Sequence, residues 1–171
     1  MKKVFRLSII SCLFFLPLLA SCGGWHLRGS EGAGLSLNSN VFLSGQASET
    51  YRIIEKSLTR KNVLASALNS DLLLDLDREN IQRRIASSNA DATTAEFELT
   101  LTLDYEIRDA QQNLLRPKHT VRITRSYSFN QNDIGSSNKE EALLRKGLQR
   151  SAARQLIQQL TLLDRIRNEI N

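Results

Sequence analysis

Residues Thr94 to Ile107 read TAEFELTLTLDYEI, and this stretch decides the fold. Every odd position from Ala95 to Ile107 is apolar and every even position from Thr94 to Glu106 is polar. A period of two over this length predicts a β-strand with one face buried and the other facing water or a wet partner surface. At about 3.3 Å per residue such a strand, continued to Arg108, reaches roughly 50 Å, well beyond the five or six residues of an ordinary strand. The sheet it belongs to therefore outruns a compact core.

Working outward, Thr120 to Phe129 repeats the pattern, with Val121, Ile123, Tyr127 and Phe129 on one face and Thr120, Arg122, Thr124, Ser126 and Ser128 on the other. A hairpin centred near Asn113 would join the two strands and set Arg122 opposite Asp104 as a charge pair. Upstream, Leu72, Leu74 and Leu76 alternate with Asp75 and Asp77, with Leu73 breaking the pattern, and the apolar phase then moves to Ile81 and Ile85. A bulge near Glu79-Asn80 accounts for the shift. Earlier still, Asn40 to Gly45 forms a short strand. A helix opens at Ser48-Glu49, buries Tyr51, Ile54 and Leu58, and closes at Asn62 in a left-handed cap.

After the strands, Ser137-Asn138-Lys139-Glu140 has capping-box spacing. Leu144, Leu148, Ala152, Leu156 and Leu160 then recur every fourth residue, joined by Ala153, Ile157 and Leu163. That stripe lies on the sheet, while Arg145, Lys146, Gln149, Arg150, Gln158 and Gln159 face outward. The expected architecture is α+β, with two helices packed on one face of a roughly four-stranded mixed sheet in the order β-α-β-β-β-α, over residues 38–171.

Before this domain the chain has a different character. Lys2, Lys3 and Arg6 precede an apolar run from Leu7 to Ala20 and then Leu19-Ala20-Ser21-Cys22. Basic start, short apolar core and small residues before the cut read as a signal peptide over residues 1–21. The run is too short for the about 20 apolar residues of a membrane span. Leu-Ala-Ser-Cys resembles the bacterial lipobox, in which Cys22 is acylated and becomes the mature N-terminus; the covalent lipid on Cys22 is then the only prosthetic group expected. Several chains on one residue anchor stably where a single chain does not. Gly23 follows the cysteine where an Asp would resemble the inner-membrane retention signal, which places the anchor in the outer membrane. Five of the eight glycines fall between Gly23 and Gly34, so residues 22–37 form a lipidated N-terminus and flexible linker.

Composition removes several functions. The 23 Lys and Arg against 18 Asp and Glu give +5, but three of the cations leave with the leader and +2 remains, little for a nucleic-acid protein. Cys12 also leaves with the leader and Cys22 is alkylated, so neither a disulfide nor a zinc thiolate is expected. The two histidines, His26 and His119, stand without a Gly-x-Ser-x-Gly elbow, and Gly135 and Gly147 make no phosphate loop. Glu96 and Glu98 lie on the solvent side of a strand, where solubility explains them better than acid–base work. No catalysis is expected. Arg125 departs from the alternation, since its odd number sets a charge among Ile123 and Tyr127; it either lies where the helices do not reach or contacts an anion or partner.

At Gly24-Trp25-His26-Leu27-Arg28, directly after Cys22-Gly23, the sequence resembles the mature start of the LptE family, the rare lipoprotein B group of lipopolysaccharide-assembly lipoproteins. Thr94-Ala95-Glu96-Phe97 resembles the family's Thr-Ala-Glu-aromatic run and Arg125-Ser126-Tyr127 its Arg-Ser-aromatic run. Two departures are the extra glycine before Trp25 and the lack of a long tail after the last helix. The resemblance implies a non-enzymatic plug within the LptD β-barrel that aids barrel assembly and lipopolysaccharide insertion. Arg28, Arg83, Arg84, Lys118, Arg122 and Arg125 are then candidate contacts to lipopolysaccharide or partner, and Trp25 a candidate interfacial anchor. A membrane-tethered lipid-binding module, with its pocket between helices and sheet, and another accessory lipoprotein of barrel assembly are the alternatives.

Overall fold

The computed structural model describes residues 37–88 and 94–170. The signal peptide, Cys22, Trp25, Arg28 and most of the linker lie outside the described residues. Strand β1 (Val41–Gly45) leads through helix α1 (Glu49–Arg60) to three long strands, β2 (Leu72–Ser88), β3 (Thr94–Asp109) and β4 (Leu114–Asn130), and helix α2 (Ile134–Ile170) follows. The sheet runs in chain order, β1-β2-β3-β4, with β1 parallel to β2 and the other pairs antiparallel. The α+β order expected from the sequence is the one observed.

The lengths match. Strands of 16 and 17 residues and a helix of 37 are each about 55 Å long at their usual rises, so α2 runs the length of the sheet. Leu99, Leu101, Leu103, Tyr105 and Ile107 of β3 are all at most 2% exposed and face Ile54 and Leu58 of α1 and Leu148, Ala152, Leu156 and Leu160 of α2. Both helices thus cover one sheet face. Leu37, assigned by the sequence to the end of the linker, is already in this core.

Helix α1 begins as its sequence implies, the Ser48 hydroxyl accepting from the Tyr51 amide at 3.1 Å, and Asn62 takes the left-handed conformation at φ +56°. Helix α2 does not begin at the capping box. It starts one turn earlier, where the Asp133 carboxylate accepts from the Ser136 amide at 3.1 Å; Ser137 Oγ instead accepts from the Asn130 amide at 3.1 Å. A cap competes with tertiary partners for the same hydroxyl, and here the end of β4 wins it. The bulge in β2 falls between Leu76 and Glu79, slightly before the expected place. The extra residue returns Glu79, Ile81 and Ile85 to the helix side, opposite Leu103, Leu101 and Phe97.

The hairpin register also differs from expectation. Asp104 faces Thr120 and Arg122 faces Thr102, so the expected Asp104–Arg122 pair does not form. Register shifts between Tyr105 and Arg108 separate this ladder from the turn itself, which is centred at Gln111, two residues before Asn113, because Asp109 folds over it. Its carboxylate accepts from the Gln111 and Asn113 amides and from Asn113 Nδ2, at 2.9, 2.8 and 2.8 Å, with Gln112 at φ +67°. Asp104 instead accepts from the Thr120 hydroxyl at 2.5 Å.

Candidate functional site: the uncovered sheet face and the ends of the long helix

The sheet face away from the helices is a long polar surface. It is a network of short side chains and paired charges. Ser44 donates to Asp75 at 2.6 Å, Thr100 and Thr124 share a hydrogen bond at 3.1 Å, and Arg108 Nε donates to Glu106 at 2.8 Å. Arg84 Nε meets Glu98 at 2.6 Å, and Lys118 pairs with Asp77. The Arg84 guanidinium, through its hydrogen bond and its charge, lowers the Glu98 carboxyl below its ordinary value, and Lys118 does the same to Asp77. Surface pairs of this kind contribute little to stability; their consequence is a face on which charges of both signs are paired.

The candidate cations therefore do not gather into one patch. Arg84, Lys118 and Arg122 are on or beside the uncovered face, whereas Arg83 and Arg125 lie on the helix side, opposite Leu99. Arg83 is held under the first half of α2, its guanidinium 4.6 Å over the Phe97 ring and 3.1 Å from Glu141. Arg122 meets no carboxylate among the described residues, and Arg125 donates only to the neighbouring Thr124 carbonyl at 3.2 Å. Two of the three motifs behind the resemblance, Thr94-Ala95-Glu96-Phe97 and Arg125-Ser126-Tyr127, are brought side by side. Phe97 pairs with Tyr127 in the ladder, their rings stacked with centroids 5.8 Å apart, and Phe129 meets Phe97 edge-on at 5.5 Å.

Two acidic residues anchor α2 at its ends. At the N-terminal half, Glu141 accepts from the Tyr127 hydroxyl, from Arg83, and from Arg145 at 2.7 Å. Partial burial alone would raise its pKa, but the hydrogen bonds from Tyr127, Arg145 and Arg83 outweigh it and bring the carboxyl down to about 2. At the C-terminal half, Asp164 is 1% exposed. It accepts from the Asn38 amide at 2.9 Å, from the Ser39 amide at 3.3 Å and from the Ser39 hydroxyl, while Arg167 lies 3.6 Å away and donates to the Asp71 carbonyl at 2.9 Å. This cluster ties residues 38 and 39 to the C-terminal half of α2. In the middle, Glu79 accepts from the Thr50 amide at 3.3 Å and from Gln149 at 3.0 Å, tying both helices to the β2 bulge.

Sequence reasoning did not single out Glu141 or Asp164, yet a signal was present. The four-residue step of Leu148, Ala152, Leu156 and Leu160 continues to Asp164, and run backwards from Leu144 a three-residue step meets Glu141 and a four-residue step Ser137, as a period of about 3.6 residues allows. A charge in phase with an apolar stripe must find partners or cost stability.

These features define a class: an α+β sandwich with one dry face, one wet face and residues 38 and 39 tied to the C-terminal half of its long helix. Comparison with known proteins narrows it. The family described as LptE, lipopolysaccharide-assembly, matches residues 37–160. The chain belongs to the LptE family. Among solved structures it is similar to the rare lipoprotein B from Shewanella oneidensis, at 21% identity over 71% of this chain and 93% of that one, with a TM-score of 0.60. A lipoprotein B from Nitrosomonas europaea matches at 21% identity over 78% and 90%, with a TM-score of 0.66. A minor lipoprotein from Acinetobacter baumannii matches at 22% identity over 74% and 92%, with a TM-score of 0.58. At these identities the likeness establishes the shared fold. No described helix is long and apolar enough to cross a membrane.

Proposed function

We propose that this chain is an outer-membrane lipoprotein, anchored through acylated Cys22, that seats as a plug in the lumen of an LptD-like β-barrel. There it assists barrel assembly and the transport and insertion of lipopolysaccharide, without catalysis. Family membership supports the lipopolysaccharide-assembly role. The uncovered sheet face carries the plug reading: it is long, rich in hydroxyls and set with paired charges of both signs, which suits the polar interior of a barrel. The outer face of α2, with exposed Lys146, Arg150, Arg154 and Gln158, offers a second polar surface to the opposite wall.

For lipopolysaccharide itself, phosphate groups would meet Arg122 and Arg125 most readily, because Arg83, Arg84 and Lys118 would first have to give up carboxylate partners. Arg28 and Trp25 would contribute from the tether side. The rival lipid-binding module needs a pocket between helices and sheet. That space is filled, since Leu99, Leu101, Leu103, Leu148 and Leu156 are all at most 1% exposed. The described groove is a surface one on α1, lined by Ile53, Lys56, Thr59, Arg60 and Leu64.

Photo-crosslinkers at Thr102 on the uncovered face and at Gln158 on the outer face of α2 test the plug. A domain enclosed in a lumen crosslinks to the same barrel from both positions. Crosslinks from one position only would mean docking at the barrel's mouth and would overturn the enclosed geometry.

A further inference from the structure

Among the described residues no strand pairs with the outer edge of β4, and the two halves of that edge differ. From Arg116 to His119 it is blunted in the usual ways, by Pro117, by register irregularities opposite Tyr105, Ile107 and Arg108, and by the Lys118 charge. From Thr120 to Phe129 there is no proline and no register irregularity, and the charges are the two arginines Arg122 and Arg125. The ladder to β3 is regular from Thr94–Asn130 to Tyr105–His119, and the residues are strong strand formers: Thr120, Val121, Ile123, Thr124, Tyr127, Phe129. A straight edge of this kind presents free amides and carbonyls ready to pair with another strand.

Its charge specifies the strand. Between Ala110 and Asn132 the chain has four cations, Arg116, Lys118, Arg122 and Arg125, and no acid at all. Arg122 and Arg125 stand three residues apart, so they fall on opposite faces of the sheet, both exposed and neither paired with a carboxylate among the described residues. A second copy of β4 would bring like charges together and is disfavoured. A strand with acidic side chains on both faces would meet Arg122 on one and Arg125 on the other.

We propose that the Thr120–Phe129 edge of β4 is a docking site for an extended acidic polypeptide segment, which adds to the sheet as a fifth strand. Backbone pairing supplies the attachment, and Arg122 and Arg125 select the acidic sequence. This inference is independent of whether the domain is enclosed by a barrel.

The test is amide hydrogen exchange of the full-length acylated chain in mild detergent, with and without a peptide of three Val-Glu-Thr repeats, whose glutamates, three residues apart, alternate between the two faces of a strand. Strand addition predicts slowed exchange confined to alternate amides between Thr120 and Phe129. The double variant R122E/R125E, both sites being exposed, should keep its fold and lose binding by about tenfold or more. The same peptide with proline in place of each threonine should give no protection. Binding without amide protection would mean attraction to the side chains alone and would overturn the proposal. Equal protection by the proline peptide, equal protection of the double variant, protection by anionic phosphate micelles to the same degree, or no binding would each do so as well.

Discussion

Replacing Gly45 with alanine should lower the melting temperature by roughly 10–20 °C, corresponding to about 3–5 kcal/mol for a domain of this size. Gly45 ends β1 at φ +112°, a conformation L side chains rarely adopt, and it sits directly opposite Leu76. A Cβ placed there would lie 1.9 Å from the Leu76 carbonyl oxygen and 2.7 Å from the Leu76 carbonyl carbon and amide nitrogen. All three are backbone atoms of a central strand, which cannot rotate aside. The same carbonyl also accepts from the Gln46 amide at 3.0 Å, the bond that turns the chain toward α1. Strain at positive φ and overpacking each contribute on the order of 1–3 kcal/mol. The check is thermal unfolding followed by circular dichroism. A variant melting within a few degrees of wild type would mean that β1 does not close against β2 in this way.

Asp164→Ala should cost about 3 kcal/mol, although it removes one exposed-looking charge from an arginine-rich helix end. The carboxylate is buried and satisfies two backbone amides and the Ser39 hydroxyl, with Arg167 beside it. Truncation leaves these donors without partners in a site that water does not reach, which costs more than the bonds contribute net. The effect depends on pH. Burial alone would raise the Asp164 pKa, but hydrogen bonds from Ser39 and the Asn38 and Ser39 amides, with the Arg167 charge, lower it overall. A carboxyl lowered on folding stabilises the native state above its unfolded value, about 3.9, and loses that contribution as pH falls through the folded value. The stability gap between wild type and variant, measured by urea unfolding, should therefore be full at pH 7 and shrink below about pH 4. A gap of the same size at pH 3 would show that packing, not charge, holds this junction.

Both predictions concern features that alternation could not display. The two faces of β3 were legible because Ala95 to Ile107 never breaks phase, and α2 because its leucines keep step with the helix. What alternation does not carry is register, which depends on local bonding in turns. Asp109 closing over Asn113 centres the turn at Gln111, and with the register shifts between Tyr105 and Arg108 this replaces an Asp104–Arg122 ion pair with an Asp104–Thr120 hydrogen bond. The capping box failed for a related reason, since Ser137 serves the end of β4 and leaves the cap to Asp133. The candidate cations were visible as charges, but their availability depends on which carboxylates the folded sheet brings near. Arg84 and Lys118 are neutralised by residues 14 and 41 positions away, distances no motif spans.

The long sheet and its wet face find a common explanation if the domain is surrounded by a polar wall. The most direct test is to purify the tagged full-length chain from its native cell envelope in a gentle detergent and to determine what accompanies it and in what ratio. The plug account predicts a large β-barrel at one to one, stable through size-exclusion chromatography. Recovery of the chain alone, bare or carrying only lipid, would contradict it.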